Sequence, residues 1–294
     1  MDVTATSINA LFEGLKAAFD GAVESTPTED IDRLMETVPS ETGTEQYPVG
    51  VLLGDLEEVI DEVTVTQIGA WIQDVANKTF ARIVEVRRTH IADDSIGVYR
   101  TAVQQLARRA TRYPIKLAAQ VLLDGFTDTW VDGATVYSDS HEWVGGESWD
   151  NLHSLALSAT NFETVMEAME TMAGPDGNPL GLSPDLLVVG PANRAAAEDI
   201  LKVQYDSNGA SNKHYERTDL VVLTEWGSDE SWLLMDTDPV KPLIWQNREG
   251  PDFESDTDDT SQSAMYRERY PYKGRRRGRA AILAPWLIQA SDGG

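Results

Sequence analysis

The chain has 294 residues, carries 49 acidic against 24 basic side chains for a net charge of -25, and contains no cysteine. Its length, with 41% apolar residues and eight tryptophans, is enough for a buried core in one elaborate domain or two ordinary ones. The charge argues against a free-standing nucleic-acid binder or an anionic membrane surface, and the missing cysteine excludes disulfides, thiolate catalysis, iron–sulfur clusters and Cys-ligated zinc.

Arginine outnumbers lysine and aspartate outnumbers glutamate, a bias that fits adaptation to high salt as well as it fits an ordinary acidic protein. The start, MDVTATSINALFEGL, has no basic n-region or long apolar h-region of a secretory signal. The apolar stretch Ala280 to Ala290 is too short to span a bilayer and contains Pro285.

In chain order, Ile8, Leu11, Leu15 and Phe19 recur at helical spacing before a polar, acidic stretch through Glu45, which predicts a short helix followed by an extended arm over residues 1–47. The pieces VGVLLG, EVTVT and TFARIVEVRR predict strands of a long excursion over 48–94. Asp93, Asp94 and Ser95 suit an N-cap, and Val103, Leu106, Ala110, Leu117, Val121 and Leu122 follow with helical spacing up to Gly125. Pro114 is expected to kink or split this helix.

Residues 126–150, with an Asp132-Gly133 turn signal, predict a β-rich surface insert. Thr160 and Glu163 suit a capping box for a helix with the apolar face Phe162, Val165, Met166 and Met169, ending at Gly174. Leu186 to Gly190 is continuously apolar, as in a strand covered on both faces, and leads through Pro191 into the helical run NRAAAEDILKV. The segments LVVLTEW, SWLLMD and PLIWQ predict strands closing an α/β unit, and the remainder returns to mixed strand and loop.

No enzymatic constellation emerges: GxxxxGK[ST], GxSxG, HExxH and a GxGxxG after a strand are all absent. His90, His141, His153 and His214 are scattered; only His141 and His153 lie near carboxylates, Asp132 and Asp139, in no known ligand spacing, so surface histidines are the simpler reading. Asp252, Glu254, Asp256, Asp258 and Asp259 crowd one segment, read as a solvated acidic loop with a hard cation held through oxygens as the alternative. The basic run Arg275, Arg276, Arg277 and Arg279 reads as pairing with the acidic surface of a neighbour, with packaged nucleic acid as the alternative.

The stretch NKTFARIVEVRRTHIADDSIGVY (77–99) resembles a signature of the Mu-like major head subunit family of tailed phages. The resemblance continues in order through Leu122-Leu123-Asp124-Gly125-Phe126, Asp132-Gly133, Asp139-Ser140-His141, LLVVGPANRAAAEDIL and PLIWQNREGPDF, although Ala81 stands where the family commonly has glutamate. It implies the α+β Hong Kong 97-type capsid fold: an N-terminal arm (1–47), an extended β-hairpin loop (48–94), a peripheral domain with a long spine helix (95–154 and 263–294) and an axial α/β domain (155–262). It further implies a structural protein without catalysis or cofactor, whose pentamers and hexamers form an icosahedral shell in the virion around double-stranded DNA, with portal, scaffolding and decoration or turret proteins as partners and no membrane.

Numbering from Met1 leads to the expectation that scaffolding is a separate protein. An encapsulin-like compartment and a halophilic α/β enzyme are the alternatives. Subunit-interface candidates are Glu57, Glu58, Asp61, Arg82, Arg87 and Arg88 with the arginines at 275–277. A charge of -25 multiplied over a shell requires screening, which turns the reading toward a tailed virus of a halophilic archaeon with structural cations at acidic seams.

Overall fold

The computed structural model describes residues 4–50, 71–93, 97–144, 147–205, 209–256, 263 and 267–294. Helix α1 (Ala5–Glu24) begins at a capping box between Thr4 and Ser7. Its apolar stripe, Ile8, Leu15 and Phe19, is fully buried. It is 20 residues long, not short, and no extended arm follows it. Instead the chain forms α2 (Glu29–Leu34) and β1 (Met35–Pro39), because Ile31, Leu34 and Met35 are apolar and enter the main core.

Strands β2 (Thr44–Val49) and β3 (Trp71–Ala76) pair antiparallel. Buried Gln246 ties this hairpin down: it accepts from Tyr47 Oη at 3.0 Å and donates to the Val75 carbonyl at 3.1 Å and to Asn77 Oδ1 at 2.8 Å. The hairpin therefore starts before residue 48. The next strand, β4 (Lys78–Arg87), leaves it to pair elsewhere, followed by α3 (Arg88–Ala92). The proposed N-cap residues Asp94 and Ser95 lie outside the described residues.

Helix α4 (Gly97–Asp124) is 28 residues long and runs unbroken through Pro114, against the expected kink. Beyond it lie the short strands β5 (His141–Glu142), β6 (Ser148–Trp149) and β7 (Leu152–His153). The expected surface insert is instead part of the core. Trp130, Tyr137, Trp143 and Trp149 are buried in one cluster with Trp286, since aromatic side chains this dense gain more from packing than from solvation.

Helix α5 (Ala159–Glu170) is capped by Ser158, whose hydroxyl accepts from the Asn161 N–H at 3.2 Å, displacing the predicted Thr160–Glu163 box; it ends before Gly174. The apolar run forms β8 (Leu186–Val189), followed by α6 (Arg194–Leu201), β9 (Asp219–Val222), β10 (Trp232–Met235), β11 (Leu243–Ser255), β12 (Arg269–Ile282) and β13 (Ile288–Ser291).

Two sheets organise these elements. A five-stranded sheet runs β7-β13-β10-β8-β9, and β8 is buried on both faces as its composition required. A four-stranded sheet runs β1-β11-β12-β4 and carries α1 and α4 on one face, with Phe253, Tyr270 and Tyr272 packed against Phe19 and Leu106. The sheets divide the chain differently from the sequence boundaries: β11 belongs to the sheet under the long helix, not with β8–β10, and terminal β13 crosses into the five-stranded sheet beside β10. Pairing over these distances has no local signal.

Alternation along β12 turns even-numbered residues toward α4. At Gly278 an added Cβ would sit 2.5 Å from the Trp245 ring and against the Gln246 carbonyl. Gly278→Ala is expected to destabilise by about 1–3 kcal/mol through overpacking, read as a lower urea midpoint; an unchanged midpoint refutes the close approach.

Candidate functional site

The two charged clusters of the sequence, 20-odd residues apart in the chain, form one ladder. In β11 and β12, Glu254 faces Lys273, Asp252 faces Arg275 and Glu249 faces Arg277. Lys273 Nζ lies 2.5 Å from Glu254, Arg275 bridges Glu254 at 3.1 Å and Glu249, and Arg277 reaches Glu249 at 3.7 Å. The hydrogen bond from Lys273, with that from Arg275, holds the Glu254 carboxyl below the usual carboxylate range, and Glu249 raises the Arg275 guanidinium.

Asp252 and Glu254 are thus strand residues rather than loop residues, and Glu254 pairs with cations of its own chain. Asp256 closes the strand by donating its N–H to the Pro271 carbonyl, while Asp258 and Asp259 lie outside the described residues. Among the described residues no group of three or more carboxylates and histidines is placed to hold a metal ion. Within the chain, Arg275 and Arg277 pair with Glu249 and Glu254 across the strand.

Arg276 points the other way, into the groove beneath α4. Proline 114 has no N–H, so the carbonyl four residues earlier, that of Ala110, lacks its helical partner. Arg276 Nη1 supplies the hydrogen: it donates to the Ala110 carbonyl at 3.0 Å and the Thr111 carbonyl at 3.1 Å. Its guanidinium also covers the Trp245 ring at 4.8 Å, and burial pulls its pKa down to about 10. This contact explains the unbroken helix and gives Arg276 partners inside its own chain.

Arg82 lies on β4, the edge strand, and faces the same groove; Arg87 ends that strand and Arg88 begins α3, with Nη1 3.5 Å from Tyr270 Oη. All three are exposed. Glu57, Glu58 and Asp61 lie outside the described residues. The groove itself, a 710 Å³ cavity, is lined by Arg82 and by Arg109, Arg112 and Lys116 of α4. Sequence reasoning missed these α4 cations, although the signal was available: between residues 97 and 124 the only acidic side chain is Asp124.

The histidines are not brought together. His141 is sealed between aromatic rings, stacked on Trp149 at 4.0 Å, with Nδ1 2.5 Å from Asp132 Oδ2 and Nε2 3.2 Å from the Val136 carbonyl. It is 0% exposed, which corrects its reading as a surface residue. His153 pairs with Gln289 at 2.7 Å and His90 with Tyr99 at 2.7 Å, whereas Asp139 is exposed. Among the described residues no helix is long and apolar enough to cross a membrane.

Comparison with known proteins gives these features a context. The family model described as Mu-like prophage major head subunit gpT matches residues 8–155, 149–226 and 224–289. The major capsid protein of Escherichia phage Mu is 31% identical over 141 residues, which are 48% of this chain and 46% of that protein. The Mu-like prophage FluMu major head subunit of Haemophilus influenzae is 29% identical over 167 residues, 57% of this chain and 54% of that protein. The chain spans about half the length of the curated relatives it matches. A chain of the procapsid of bacteriophage JBD30 shares the fold with a TM-score of 0.63 at 20% identity, covering 99% of this chain and 76% of that one. The fold is thus the α+β, Hong Kong 97-type fold of tailed-phage capsids that the resemblance implied.

Proposed function

From the premise that the chain belongs to the Mu-like prophage major head subunit family, we propose that it is the major capsid protein of a tailed phage, a structural and non-enzymatic component of the virion. Copies assemble as pentamers and hexamers into an icosahedral shell enclosing double-stranded DNA, together with a portal, scaffolding and decoration or turret proteins. The observation that carries this reading is the family match running from residue 8 to residue 289. An encapsulin-like compartment would suit the fold equally, so the family match, rather than the fold, favours a phage head.

Exposed Arg82, Arg87 and Arg88, on or beside edge strand β4, are the proposed subunit contacts, with Glu57, Glu58 and Asp61 opposite them in charge. Ion pairs there set register more than strength. Negative-stain microscopy of the assembled chain tests the function: closed shells of uniform diameter are expected, and small oligomers under all conditions overturn it.

A halophilic host and cations at acidic seams are part of the same proposal. At -25 per chain, copies packed edge to edge repel unless the screening length is short, about 3 Å at 1 M salt. Shells should therefore come apart on dialysis from molar salt into low salt with chelator. Shells still closed after that treatment remove both the salt and the cation proposals.

A further inference from the structure

We propose that the groove between α4 and β4 is a contact site for the phosphate backbone of duplex DNA. The net charge of the chain argues against nucleic acid, but affinity for a polyanion depends on the local field, and here the field is reversed. At 100° per residue, Arg108, Arg109, Arg112 and Lys116 fall within an arc of about 100° on α4 and span ~12 Å of its axis. All four are exposed. Arg82 meets them from β4 across the groove.

The carboxylates within reach are few: Glu225 lines the groove, and exposed Asp30 lies 3.6 Å from Arg112. The other two basic residues lining it are already engaged, Arg275 with Glu249 and Glu254, Arg276 with the helix carbonyls. Among the described residues Arg82 and Arg109 have no ion pair, and Lys116 only overhangs the Tyr113 ring at 5.9 Å.

Phosphate rather than an acidic peptide is favoured by the chemistry of the lining. The free groups are mostly guanidiniums, whose planar forks match phosphate oxygens in pairs. A peptide would need an apolar anchor pocket, whereas the groove's aromatic floor, Phe80 against Tyr113 with centroids 4.6 Å apart, is satisfied within the chain. With no free ring offered to a base, contact is with the backbone and independent of sequence.

The inference rests on the shell reading only for bringing DNA within reach, and the two are tested separately. Anisotropy of a labelled duplex of ~30 base pairs, titrated with the full chain over ~50–500 mM salt, should give a log–log slope of about -3 to -4, roughly -0.9 per phosphate neutralised. The triple variant Arg109→Gln, Arg112→Gln, Lys116→Gln should bind at least ~10-fold more weakly with a slope smaller by about 2–3. The pair Lys213→Gln, Arg217→Gln, exposed cations bound to Glu163 and Glu170 away from the groove, should bind like wild type.

If the triple variant loses its unfolding midpoint, Arg109→Gln alone, with a slope smaller by about one, decides the matter. No binding by the wild type, equal losses in both sets of variants, or competition by polyglutamate as strong as by DNA overturns the proposal. So does binding by free chains that vanishes in closed shells, which would assign the groove to a second copy. Microscopy of the same preparation reports separately on the shell: oligomers without shells overturn that reading and leave the isotherm to judge the groove.

Discussion

Replacing Arg276 by methionine should cost about 3 kcal/mol of stability, although the residue lies more than 160 positions from the backbone it serves. The loss is that of a charge-assisted donor to two carbonyls, Ala110 and Thr111, and of the cation over Trp245. A double-mutant cycle isolates the cause. In a Pro114→Ala background the N–H of the new residue returns to the Ala110 carbonyl, so the same Arg276→Met change should cost at least ~1 kcal/mol less, measured from urea midpoints and slopes. Costs that add within about 0.5 kcal/mol in the two backgrounds mean that Arg276 does not stand in for the missing proline hydrogen.

The second large effect lies in the tryptophan cluster. The side chains of His141 and Asp132 are 0% and 7% exposed, so removing either leaves its partner without solvent to turn to. Asp132→Ala should therefore destabilise by about 3–5 kcal/mol, and it also deletes the acceptor of the Ala134 N–H at 3.0 Å. Adding His141→Phe to that variant should recover part of the loss, because a phenyl ring keeps the stack on Trp149 and leaves no ring nitrogen unpaired. Should Asp132→Ala alone move stability by less than ~1 kcal/mol, the pair is not a fastener of the core.

Much of the fold was legible where the signal is local. The apolar run of β8 and the 28-residue helix α4 follow from periodicity and composition, and the signature at 77–99 pointed to the family. The errors share a cause. Pro114 reads as a helix breaker unless Arg276 is known to reach it, and the acidic residues Asp252 and Glu254 read as part of a solvated loop unless the arginines are known to lie across the strand. Segment 126–150 reads as surface because its turn residues are visible and the packing of its rings is not.

What the sequence by itself determined is therefore the inventory: the family, the helix and strand that periodicity marks, the charge of -25, and an α4 whose only acidic side chain is Asp124. Tertiary structure alone decided which of those charges face one another. A strand registers its side chains against partners set by pairing, and pairing of β11 with β12 turned two solitary-looking clusters into a neutral ladder. The same alternation directed Arg276 inward to the helix and left Arg82, Arg109 and Lys116 lining a groove with little to neutralise them. Long-range pairing is settled by the burial of a whole sheet face at once, and no window of sequence contains that sum.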